Sequence, residues 1–148
     1  MNHQNAAIAT VAYDSITAKD SREDRAVKEV INAAKLIHME LGPGLVEEVY
    51  EDCLCQILTK RDVPFKRNVT YPVTFMGETL DYKLNLDLVV DDCLVVEVRT
   101  LSRLKPIHEE KLLTALKMSH MKQCLLINFK VPLLEQGIKR IIKKGAVK

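Results

Sequence analysis

The sequence predicts a mixed α/β domain, and three observations carry that expectation. Apolar residues recur at helical spacing in an early pair of stretches and in one later stretch. Three extended stretches come after the early pair, two of them forming a hairpin of alternating pattern. A short apolar run after the later helical stretch has the character of a buried strand. The chain has 148 residues, 47% hydrophobic and 28% charged, an ordinary balance for one soluble globular domain.

Residues 1–20 are polar or small without a sustained period and are expected to be a loose tail; residues 21–148 are expected to form the single domain. Ser21-Arg22-Glu23-Asp24 resembles a capping box, with Asp where Glu or Gln is usual. Val27, Val30, Ile31, Ala34, Ile37 and Leu41 then keep helical spacing, with His38 the one polar residue on that side. Gly42-Pro43-Gly44 interrupts, and a second helix is expected from Leu45 to about Lys60. Val46, Val49, Tyr50, Cys53, Leu54 and Ile57 form its apolar side. At about 100° per residue Glu47 falls on the border of that side, whereas Glu48 points into solvent. Val69 to Phe75 is expected to be a strand, and Met76-Gly77-Glu78 a turn. Pro106 suits the first turn of a helix reaching about Met121. Cys124 to Phe129 is the buried strand, and Pro132 is expected to open a last helix carrying Leu133, Leu134, Ile138, Ile141 and Ile142.

The most informative stretch is Leu84 to Arg99. Alternation puts Leu84, Leu86, Leu88, Val90, Leu94, Val96 and Val98 on one face, and Asp87, Glu97 and Arg99 on the other. An odd loop at Asp91-Asp92-Cys93 pairs Val90 with Leu94, Leu88 with Val96 and Asp87 with Glu97. A two-residue loop would mix polar with apolar on both faces, so the odd register is predicted. Two carboxylates that close repel unless a cation sits between them, either a bound metal or Arg99.

Net charge is only +2, which does not announce a nucleic-acid binder. No apolar run reaches the ~18 residues of a membrane span, and the N-terminus lacks the pattern of a secretory signal. Cys53, Cys55, Cys93 and Cys124 make no zinc spacing and are expected to be reduced thiols of a cytoplasmic protein. Lys111 lies in direction among Ile107, Ala115 and Met118; it either snorkels from an apolar surface or points at the sheet, and periodicity leaves both open. His38 and Tyr50 are expected to be hydrogen-bonded core residues, and His108 a cap. Lys139, Arg140, Lys143, Lys144 and Lys148 cluster where acids are absent, and this basic end is the best candidate for a nucleic-acid contact.

Gly44-Leu45-Val46-Glu47-Glu48-Val49-Tyr50 resembles the signature of the GxxExxY family of small bacterial proteins. The resemblance continues through Ile37-His38, Val63-Pro64-Phe65-Lys66, Leu86 to Val90, Val96 to Arg99, Leu104 to Glu109 and Leu125 to Phe129, covering residues 25–145. It implies a PD-(D/E)xK nuclease-like fold, a central mixed sheet flanked by helices with core order αβββαβ. It also implies metal-dependent hydrolysis of DNA or RNA, with Glu47, Asp87 and Glu97 holding Mg2+ or Mn2+. Two positions depart from the family pattern. Glu97-Val98-Arg99 stands where Glu-x-Lys is usual, and arginine is effectively never deprotonated, so Arg99 cannot replace a lysine that takes a proton. Lys111 stands where glutamine is usual and is the candidate to supply the missing amine. The alternatives are a fixed Arg99 counter-ion in a nuclease-fold protein without hydrolysis, serving nucleic-acid binding or protein interaction, and a homo-oligomeric structural protein.

Overall fold

Helices α1 (Arg22–Leu41) and α2 (Glu47–Lys60) pack on one side of a sheet, and α3 (Pro106–Ser119) packs on the other. The strands are β1 (Ile8–Ala12), β2 (Phe65–Phe75), β3 (Glu78–Val90), β4 (Leu94–Arg99), β5 (Gln123–Asn128) and β6 (Ile138–Lys143). They stand side by side in the order β1-β6-β5-β4-β3-β2. This is a computed structural model, and it describes residues 8–12 and 21–143. β4 and β5 are parallel, joined across α3, and the other neighbours are antiparallel. The αβββαβ core is therefore present, with β6 and β1 added beyond β5.

Local chemistry sets the helix ends. Ser21 Oγ accepts the Asp24 N–H at 3.0 Å and caps α1. Gly42 ends α1 at φ 72°, a conformation that suits glycine. The fully buried Tyr50 then secures the link to α2: its hydroxyl donates to the Gly42 carbonyl at 2.5 Å and accepts the Leu45 N–H at 3.1 Å. Its ring stacks on Phe129 at 4.3 Å. His38 Nε2 lies 2.9 Å from the Val131 carbonyl, so histidine and tyrosine both hold the core together, as expected.

The hairpin has the predicted odd register, Leu88↔Val96, Val89↔Val95 and Val90↔Leu94. Asp91 and Asp92 turn it at φ 51° and 53°. The expectation of one wholly apolar face needs correction. Leu88, Val90, Leu94, Val96 and Val98 do pack against α1 and α2, but Leu86 packs on the α3 side with Val89 and Val95. The faces exchange at Asp87, opposite Asn68, which sits at φ 53°. A left-handed residue in a strand breaks alternation, and both strands roll over together there.

The expected last helix is overturned. Leu134–Gly137 is a single 3-10 turn and Ile138–Lys143 is a strand. Ile138 and Ile141 are three apart and so mimic a helical stripe, yet they lie in opposite apolar layers of the sheet. A strand buried on both sides carries no alternation that would reveal it. Gly137 admits the close return of the chain, since a Cβ there would collide with the Asn128 carbonyl oxygen. At the other end, Ile8–Ala12 pairs with β6 inside the stretch expected to be a loose tail. Residues 1–7 and 13–20 of that stretch lie outside the described residues.

Candidate active site

Asp87 and Glu97 meet where the β3–β4 ladder stops. The last paired positions are Leu88 and Val96. One residue further, the carboxylates replace backbone acceptors: Glu97 Oε2 accepts the Asp87 N–H at 3.0 Å, and Asp87 Oδ2 accepts the Val98 N–H at 3.0 Å. Arg99 closes the group. Its guanidinium donates to Asp87 and to Glu97, each at 2.9 Å, and to the Val98 carbonyl at 2.8 Å. The pair predicted from alternation therefore forms, with Arg99 as its counter-ion. Glu97 and Arg99 alternate with Val96 and Val98, which face α1 and α2, and so point to the α3 side.

The group is unevenly buried. The Glu97 side chain is 3% exposed, against 22% for Asp87 and 30% for Arg99. Burial, and next the Asp87 charge, push the Glu97 carboxyl up to about 7, with Arg99 and the Asp87 N–H pulling the other way. Arg99 is held above its ordinary value: burial opposes its charge, but Glu97 and Asp87 together outweigh that.

Glu47 reaches the same strand end from the opposite layer. Its Oε2 accepts the Thr100 N–H at 3.1 Å, two residues beyond the amide held by Asp87. Two residues of strand separate those amides by ~7 Å. Among the described residues no group of three His, Cys, Asp or Glu side chains is close enough to hold one metal ion. Asn128 secures the neighbouring loop, accepting the Leu101 N–H at 2.8 Å and donating to the Leu101 carbonyl at 3.0 Å.

Glu51 is a member of this neighbourhood that the sequence reading does not include. It comes one helical turn after Glu47, only ~40° away in direction, which is the signal that could have found it. Arg67 grips it at 3.0 Å and Asp52 at 2.8 Å. Burial raises the Glu51 carboxyl despite Arg67, and the Asp87 charge adds to the rise. Lys111 is exposed on the flank of α3, beside the buried Leu112 and Leu113. His108 Nδ1 accepts the Lys105 N–H at 2.9 Å and caps α3.

In the strand that replaces the expected helix, one member of the basic cluster, Arg140, leaves the surface. Arg140 is 6% exposed and donates to Asp24 Oδ1 at 2.5 Å and to Gln123 Oε1 at 2.8 Å. Lys139 bonds Glu109 at 3.0 Å, and Lys143 is half-buried at the end of β6. Lys144 and Lys148 lie outside the described residues. The four cysteines are free thiols, with Cys55 and Cys93 pushed up to about 11, mainly by burial. No helix among the described residues is long and apolar enough to cross a membrane.

The family model of the PD-(D/E)XK nuclease superfamily matches residues 24–141, from the Asp24 that pairs with Arg140 to Ile141 in β6. No curated protein and no solved structure matches the chain. With most of its length matched, and with the mixed sheet and αβββαβ order described above, the chain belongs to the PD-(D/E)XK nuclease superfamily.

Proposed function

We propose that this chain is a divergent, metal-dependent nuclease of the GxxExxY type, hydrolysing phosphodiesters of DNA or RNA at Asp87 and Glu97. The observation that carries the reading is a crowded carboxylate pair kept at a partly open strand end, although burial and mutual repulsion oppose it. Such unfavourable placement is characteristic of reaction centres. Carboxylate oxygens are the donors that Mg2+ or Mn2+ prefer, so the pair fits a hard divalent ion in chemistry, with Glu47 a further carboxylate at the same strand end. A bound ion would lower the pKa of its water and neutralise charge on the phosphate.

The chain's own residues would divide the remaining work. Asp87 and Glu97 hold the cation, and Arg99, always charged, moves from the carboxylates to a phosphate oxygen. Lys111 stands on α3, the side to which Glu97 and Arg99 point, and is the amine candidate in place of the usual strand lysine. Lys139, Lys143 and Lys144 are proposed to contact phosphates; buried Arg140 is not. A cytoplasmic setting agrees with the free thiols.

A second reading is favoured by the three hydrogen bonds from Arg99: a permanent counter-ion, and nucleic-acid or protein binding without hydrolysis. Manganese calorimetry and cleavage assays separate the two. The nuclease reading expects manganese binding that Asp87→Asn weakens, and cleavage lowered by roughly 100-fold or more in Asp87→Asn and Glu97→Gln. Arg99→Lys should raise cleavage, and Lys111→Ala should lower it. No manganese binding and no cleavage, alongside salt-sensitive nucleic-acid binding, would establish the second reading.

A further inference from the structure

We propose that the outer half of the β2–β3 hairpin is a dimerisation arm whose apolar face is covered by the same face of a second copy of this chain. β4 flanks β3 only along Leu88–Val90, so from Leu86 outward β3 has β2 alone beside it. Beyond Tyr71 and Leu84 a two-stranded ribbon continues to the Met76-Gly77 turn, ~20 Å for six residues of β3. A lone hairpin is marginal in water unless one face is covered.

The ribbon is sharply two-sided. Leu86, with Val69 opposite it, packs beside Tyr71 in the α3 layer, which fixes the orientation of the outer ribbon. By alternation Leu84, Tyr82 and Leu80 continue that face along β3, and Phe75 completes it at the tip, where its partner Glu78 puts a charge at the border. The reverse face carries Thr79, Asp81, Lys83 and Asn85. Nothing requires this sorting in a ribbon surrounded by water, yet Phe75 is 64% exposed, Leu80 45% and Tyr82 63%, with Met76 at the tip 84%. Contiguous exposed apolar surface of this kind marks an interaction site.

Charge and area select the occupant. From Pro72 to Lys83 the ribbon holds two acids and one base, with no arginine, which disfavours a polyphosphate. Pro72 lies on the edge strand and lacks an N–H, and the register shifts between Pro72 and Thr74. Strand-to-strand extension along the β2 edge is thereby blunted, which favours face-to-face packing. The exposed parts of the four large side chains amount to roughly 450 Å² per copy, at ~150–250 Å² for each whole side chain. Two ribbons stacked face to face would bury up to about 900 Å² from these side chains, and Leu84 and backbone add to it, which brings the contact near the ~1,000 Å² of a specific interface. The same patch meets itself, so the contact closes as a two-fold dimer.

Sedimentation velocity and light scattering on the full chain test this directly. The wild type should move from monomer to dimer as concentration rises, with a melting temperature that rises alongside. Leu80→Glu combined with Tyr82→Glu should weaken self-association by roughly 100-fold or more while leaving the circular dichroism of the domain intact. Asp81→Ala combined with Lys83→Ala, on the reverse face, should leave the dimer unchanged. A wild type that stays monomeric throughout overturns the proposal, as does a dimer that survives the double glutamate variant. Monomers whose arm variants instead lose DNA or RNA binding would overturn it too, and assign the face to nucleic acid.

Discussion

Arg140 and Arg99, both on strands of the sheet, each grip carboxylates, and they do so to opposite effect. Arg140 bonds Asp24 and Gln123 with 7% of its side chain exposed, sealed between β6 and the start of α1. One acid meets one base, a second donor finds an amide, and the carboxyl of Asp24 ends below its ordinary value: burial pushes it up, but the Arg140 and Ser21 hydrogen bonds outweigh that. Arg99 instead faces two acids, is 30% exposed, and leaves Glu97 titrating near neutrality. The first arrangement is a fastening between sequence-distant segments. The second keeps like charges together at an opening, which stability alone does not require.

Breaking the fastening should have the largest effect. Arg140→Ala leaves the buried Asp24 carboxylate without its counter-ion and should cost about 3–5 kcal/mol in urea unfolding. Manganese affinity should not change in the fraction that remains folded. A loss below about 1 kcal/mol would mean that water reaches Asp24, and the contrast between the two arginines would fail.

Arg99→Ala should cost less, about 2 kcal/mol, because its group is partly solvated. Under the nuclease reading manganese should restore much of that loss, since an ion can stand where the guanidinium stood. Loss that no divalent ion restores would assign Arg99 the same role as Arg140.

The pH dependence of stability has opposite sign in the two groups. Glu97 is raised from its usual 4.5 to about 7, so between those values the folded chain holds a proton that the unfolded chain has released. Its contribution to stability is therefore full below 4.5 and declines as pH rises through about 7. Asp24 is lowered, so its contribution is present above the ordinary carboxylate range and is lost as pH falls through its depressed value. Melting curves of Glu97→Gln should lose the slope between pH 4.5 and 7 and keep the acid limb. An unchanged slope would mean that Glu97 is not the titrating group.

The contrast also shows why some of the molecule is legible from sequence and some is not. Asp87, Glu97 and Arg99 are readable because register and parity in a tight hairpin are local properties. Arg140 is not, because Ile138 and Ile141, three apart, satisfy a helix as well as a strand buried on both sides. Glu51 stays hidden because its significance comes from Arg67 and Asp87, contributed by β2 and β3. Lys111 cannot be oriented because a lysine at the edge of an apolar stripe is stable pointing either way.

By itself the chain determined the helix caps, the turn at Asp91-Asp92, the pairing of β3 with β4 and the meeting of two carboxylates, all settled by interactions within a few residues or across one tight turn. Only the tertiary structure decided that the C-terminal segment is a strand, that Glu47 stays at the Thr100 amide, and that one arginine is buried while the other stands at an opening. Those outcomes depend on which distant surface covers each face, and burial changes the free energy of a charge far more than any local propensity can.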